Sequence, residues 1–189
     1  ARFLVRIGVS GAFVAGPAGE GLSLTFDERL RTAERWVAAA LQAGVAWDVA
    51  RAVDGALAEE NDPARRRPLL VTAAEALAEA DRPGEAREAL AEALRIDPED
   101  AALQLRLAGL ARITGDMATA RVALASAHAL IPETERERRA EVSLARSALE
   151  LTPGGDRALA RRFARQAADE TRLADRQIEA LRRVAELAA

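Results

Sequence analysis

The sequence contains no cysteine, tyrosine or lysine, one histidine, one methionine, and only 3% aromatic residues. Each shortage closes off a chemistry. Without cysteine there is no disulfide framework and no thiolate ligand or nucleophile. That absence leaves the compartment open, with the cytoplasm mildly favoured over a periplasmic or membrane-associated location. With His128 as the sole imidazole, no histidine-based metal cluster can be assembled within one chain. The residue reads as a packing or surface position. A phosphate-binding loop of the Walker kind needs a lysine, and every basic residue here is arginine. A net charge of −3 gives no general attraction to nucleic acid or to an anionic membrane. The scarcity of aromatic residues argues against sheets. The longest uncharged run, residues 7–19, is too short to cross a bilayer.

What the chain has is alanine, and it has it periodically. Half of the residues are hydrophobic, alanine being the commonest, and a 34-residue pattern is written twice between Arg67 and Thr134. Pro98 and Pro132 stand one period apart, as do Ala74 and Ala108, Ala86 and Ala120, Ala93 and Ala127, and Leu90 and Leu124. A repeat of this length is the mark of stacked helical pairs. Alanine at the crossing points lets two helices approach closely, and leucine a turn away fills the space beside them.

This pattern resembles the tetratricopeptide repeat family. The resemblance implies an all-α, right-handed superhelical solenoid of helix-turn-helix hairpins that serves as a protein-binding scaffold. Two copies are clear, over 67–100 and 101–134. A degenerate copy is read over 26–66, with helices near 27–43 and 46–60 and a closing Asn61-Asp62-Pro63 turn. A stretched copy is read over 135–171, starting at Glu133 or Thr134 and stopped by Thr152-Pro153-Gly154-Gly155. There Gly155-Asp156 echoes Gly115-Asp116. The amphipathic stretch 172–189 reads as a cap helix that docks a stripe of Ile178 and Leu181 onto the helix containing Ala160 to Ala167. Residues 1–25 are apolar, glycine-rich and unlike the repeats, and they read as a non-helical arm or the end of a preceding segment, with a processed targeting remnant as the rival. Such an arm needs a surface to cover Phe3, Val5, Ile7 and Phe13, and the apolar half of a repeat groove would serve.

In the family, the groove is lined by the first helix of each hairpin. Carried over to this chain, those positions fall on Val37 and Leu41, then on Val71, Glu75 and Ala78. Leu105, Gly109 and Arg112 follow, and then Arg139, Ser143 and Arg146. The chaperone-tail-binding members hold their ligand with lysine and asparagine. Val71, Glu75 and Arg106 stand at the matching positions here, so the chain does not resemble that subgroup.

The expected function is a non-catalytic adaptor in a bacterial multiprotein assembly, binding a peptide segment or a protein surface, with no cofactor, no metal and no nucleic acid. Arginine pairs such as Arg161-Arg162 and Arg182-Arg183, and the Arg65-Arg66-Arg67 run ahead of a helix, read as solvated charge diluted by nearby acids. Acid pairs such as Glu59-Glu60 and Glu75/Glu79 read the same way. Two alternatives stand beside the adaptor. One is a structural subunit forming a homo-oligomer through the arm or the last helix, and the other is an accessory domain of a larger enzyme or regulator.

Overall fold

The computed structural model describes residues 35, 37–42 and 44–187. The expected arm, Trp36 and Ala43 lie outside them. Within the described residues the chain is all helical, without strands. A short helical segment at 37–42 is followed by α1 (Ala46–Glu59), α2 (Pro63–Glu79), α3 (Pro83–Ile96), α4 (Ala101–Ile113), α5 (Met117–Leu130), α6 (Arg136–Leu149), α7 (Arg157–Glu170) and α8 (Ala174–Glu186). Two compact units are present, one up to Ala93 and one from Leu94, with the boundary inside α3.

In the first unit, Asp62 accepts from the Ala64 amide at 3.0 Å and Pro63 occupies the first helical turn of α2. An acid that binds an orphan amide and a proline with a preset φ both favour a helix start. Arg65-Arg66-Arg67 therefore lies inside α2 instead of ahead of it. Arg66 also meets needs at both ends of its reach. Its guanidinium donates to the carbonyls of Leu57 and Glu60, at 2.7 and 2.8 Å, where α1 runs out of intrahelical donors, and it pairs with Glu92 of α3 at 2.8 Å. Helices α1 and α2 pack together. Arg82, in the turn before α3, covers the ring of Trp47 at 4.4 Å.

In the second unit each helix packs on the next in sequence, from α4 through α8. Aspartates begin three of them: Asp100 accepts from the Leu103 amide, Asp116 from that of Thr119, and Asp156 from those of Ala158 and Leu159. Helix α6 starts at Arg136, later than the sequence suggests, because residues 132–135 form a turn with the Glu135 amide bonded to the Pro132 carbonyl. The two glycines before Asp156 divide the work that Gly115 does before Asp116. Gly154 takes the positive φ, 81° against 78° at Gly115, and Gly155 lies where a Cβ would strike the Glu150 carbonyl.

Alanine forms the interior. Ala86, Ala93, Ala120 and Ala127 are fully excluded from solvent, and Ala74, Ala108, Leu90 and Leu124 are buried with them. The later period slips in sequence, yet Ala160, Ala164 and Ala167 are buried too. Helix α8 docks, but not by the stripe the sequence suggests. Ala180 enters a cluster with Ala140, Ala167 and Ala168, while Ile178 and Leu181 stay 55% and 52% exposed. Polar groups direct this choice: Arg176 and Arg183 donate to the Glu137 and Leu144 carbonyls of α6. They turn the alanine face inward and the larger apolar side chains out.

Candidate functional site

The positions carried over from the repeat pattern fall on recurrent faces of single helices. Val37 and Leu41 are half-buried on the segment 37–42, as are Val71 and Glu75 on α2, where Ala78 is exposed. On α4, Leu105 and Gly109 are half-buried and Arg112 is exposed. On α6 the picture changes. Arg139 and Arg146 are half-buried, but Ser143 is wholly covered. A covered side chain presents nothing to a partner, so Ser143 is an internal residue and not part of a groove lining.

Ser143 belongs to a polar knot around Glu170, the last residue of α7. Its hydroxyl donates to Glu170 Oε2 at 2.7 Å, and His128 Nε2 of α5 meets Oε1 at 2.7 Å. Gln166 Nε2 donates to the same Oε1 at 3.0 Å, and Arg139 Nε lies 3.5 Å from it. Burial works against the charge on Glu170, but the hydrogen bonds from Ser143, His128 and Gln166 outweigh it and hold the carboxyl below its usual range. An ionised carboxylate can only accept, so the proton of the short contact sits on His128 Nε2. Serine, histidine and an acid stand together here, yet the serine proton points to the acid and the imidazole is not its base. A nucleophile relay needs the opposite order. The knot fastens α5, α6 and α7 to one another.

Two further carboxylates tie the same unit. Glu150 is 6% exposed and receives Arg121 through Nε at 2.8 Å and a second nitrogen at 3.3 Å, and the Asp156 amide at 3.0 Å. Burial again opposes its charge, and these donors again prevail and lower its pKa. Glu137 accepts from the Thr171 hydroxyl at 2.6 Å and the Arg172 amide at 2.8 Å, bonds that pull its pKa down.

Beside the knot opens a cleft of about 1120 Å³, bordered by the start of α6, one face of α7 and Leu187. Six arginines line it, namely Arg136, Arg139, Arg157, Arg161, Arg162 and Arg165, against the three carboxylates Glu133, Asp169 and Glu170. Arg136 spends its donors on the Asp169 and Glu170 main-chain carbonyls, at 2.8 and 2.9 Å, and its charge also acts on the neighbouring Glu137 carboxylate. Arg157, Arg161, Arg162 and Arg165 make no ion pair with any described residue. The acids near Arg161-Arg162, namely Glu133, Asp169 and Glu170, line the same cleft without forming an ion pair with either arginine. Arg146, by contrast, is set aside on the Phe163 ring at 4.0 Å.

The knot escaped a reading of the sequence because its members are as much as 42 residues apart. Only the Gln166/Glu170 spacing of four hinted at it. The cleft left a plainer trace, since Arg157, Arg161 and Arg165 recur every fourth residue. Among the described residues no cluster of histidine and acids is arranged to hold a metal, and no helix is long and apolar enough to cross a membrane. No protein-family model and no curated protein matches this chain.

Proposed function

We propose that the chain is a non-catalytic interaction module, made of helix-turn-helix hairpins of the tetratricopeptide kind in a right-handed solenoid, that binds a peptide segment or protein surface of a partner. One observation carries the reading: residues one 34-residue period apart are buried alike, with Ala86 and Ala120, and Ala93 and Ala127, all at 0% exposure. Sequence repetition matched by repeated burial is what successive copies of one structural unit produce. Such a unit uses its alanines for packing and leaves the other face of its first helix to meet a partner. Val71 and Leu105, half-buried and one period apart, are the side chains to which this reading gives that role. The test is an affinity capture from the native lysate with the parent and with Val71→Glu/Leu105→Glu. A defined partner retained by the parent and lost by a folded double variant supports the module, and identical capture by both refutes the role given to these two side chains.

A second reading is favoured by the exposed apolar side chains Leu173, Ile178 and Leu181 at and within α8, between 50% and 55% exposed. In it the chain is a self-assembling structural subunit joined through that helix. Light scattering separates the two. A concentration-independent monomer supports the adaptor, and an obligate oligomer disrupted by Ile178→Asp supports the subunit.

A further inference from the structure

We propose that the arginine-lined cleft on α7 is a docking site for an extended acidic peptide segment, with glutamates or aspartates at alternate positions. The inference rests on the reading of the chain as an interaction module, but it uses a different surface. The repeat pattern would place a groove on the first helix of each pair, whereas this cleft is built mainly on α7, the second helix of its pair.

Four features of the cleft converge on an anionic ligand. The first is charge: a chain of net charge −3 gathers six arginines against three carboxylates at one place. The second is the lack of internal compensation. Arg157, Arg161 and Arg165 follow one another at intervals of four residues along a single face, where like charges repel, and no described carboxylate pairs with them. A sequence that breaks this local preference without a compensating contact points to a functional demand. The third is accessibility, since Arg157, Arg162 and Arg165 are exposed and present their guanidinium groups to a ligand. The fourth is spacing. Four residues of helix advance about 6 Å, and alternate residues of an extended chain advance about 6.6 Å. One row of carboxylates can thus meet one row of guanidinium groups, each in the paired geometry that arginine offers.

The same spacing would suit the phosphates of a single-stranded nucleic acid, but such ligands also stack their bases on aromatic rings. No aromatic side chain lines the cleft. Phe163, the one aromatic residue of α7, is covered by Arg146. The residue 1–25 stretch of this chain is the wrong occupant, because it carries Arg2 and Arg6 against Glu20 alone.

Fluorescence anisotropy with the full chain would test the assignment. The probes are a labelled peptide of alternating glutamate and serine, its glutamine counterpart, and a labelled oligothymidylate. The glutamate peptide should bind, with affinity falling as salt rises, and the glutamine peptide should not. Arg157→Gln/Arg165→Gln, both at exposed positions, should weaken binding roughly tenfold or more while leaving helicity and melting unchanged. Arg161→Gln supplies an independent variant with the same expected direction. Tighter binding of the oligothymidylate, equal binding by parent and double variant, or no binding of the glutamate peptide at low salt would each overturn the proposal. If the glutamate peptide fails while capture through Val71 and Leu105 persists, the cleft assignment falls and the interaction module stands.

Discussion

His128 Nε2 and Glu170 Oε1 lie 2.7 Å apart although 42 residues separate them in the chain. One carboxylate on α7 thereby holds the only histidine of the protein, on α5, and a fully covered serine hydroxyl, on α6. The value of such a knot is asymmetric. Its net gain is modest while complete, but removing its centre strands several donors at once. Glu170→Ala should destabilise the chain by about 1–3 kcal/mol in chemical denaturation. Glu170→Gln, which keeps the shape and part of the hydrogen bonding, should cost less. Equal stability of Glu170→Ala and the parent would show that the knot holds nothing together.

Acid sensitivity follows from the same group and from Glu150. Both carboxyls titrate below the ordinary 4.5 in the folded chain. The unfolded chain therefore takes up protons first as pH falls. The stability these groups supply is complete above about 4.5 and is lost as pH drops through their folded values. Denaturation midpoints should be flat from neutrality down to that region and then decline. A Glu150→Gln/Glu170→Gln variant should start lower and decline less steeply. A parallel decline in parent and variant would contradict the assignment.

Ala120 has no exposed surface. Ala120→Leu places three extra carbons where α4 and α5 pack, which should cost about 1–3 kcal/mol. An unchanged melting temperature would mean that the helices can separate freely at that point.

The adjacent glycines before α7 should respond unequally to alanine. Gly154→Ala meets open space and only an unfavourable φ, worth about 1–2 kcal/mol. Gly155→Ala drives a methyl group into the Glu150 backbone and should cost more. Denaturation of the two variants side by side checks the order, and the reverse order would refute the local geometry.

Helix α8 offers a contrast between what its residues suggest and what they do. Ala180→Asp should undock the helix, because an unpaired charge would enter the Ala140, Ala167 and Ala168 cluster at a cost above about 2 kcal/mol. Ile178→Asp, at a position 55% exposed, should change stability by less than about 0.5 kcal/mol. Hydrogen exchange along residues 174–186 reads both, and fast exchange in the Ile178 variant with slow exchange in the Ala180 variant would invert the picture.

These contrasts show where sequence is informative. The helices and the buried alanines were legible because period and burial are local and repeated: Ala86 and Ala120 announce each other. An aspartate stands before each of α4, α5 and α7, which is a local signal of a helix start. The docking face of α8 was not legible. Hydropathy favours Ile178 and Leu181, and only the α6 carbonyls that receive Arg176 and Arg183 decide that Ala180 goes inward. The Glu170 knot was hidden for a related reason, since its partners come from three helices that no spacing rule relates. The arginine row was visible, but whether nearby acids neutralise it is settled only in three dimensions.

An interior lined by alanine has a mechanical consequence. A methyl group has no rotamers, so these contacts form without freezing side-chain torsions, and they lack the interlocking ridges that pin larger side chains in one register. Register between neighbouring helices is therefore set at separate points, by buried larger side chains such as Leu90, Leu124 and Leu149 and by carboxylates such as Glu150 and Glu170 that act as rivets.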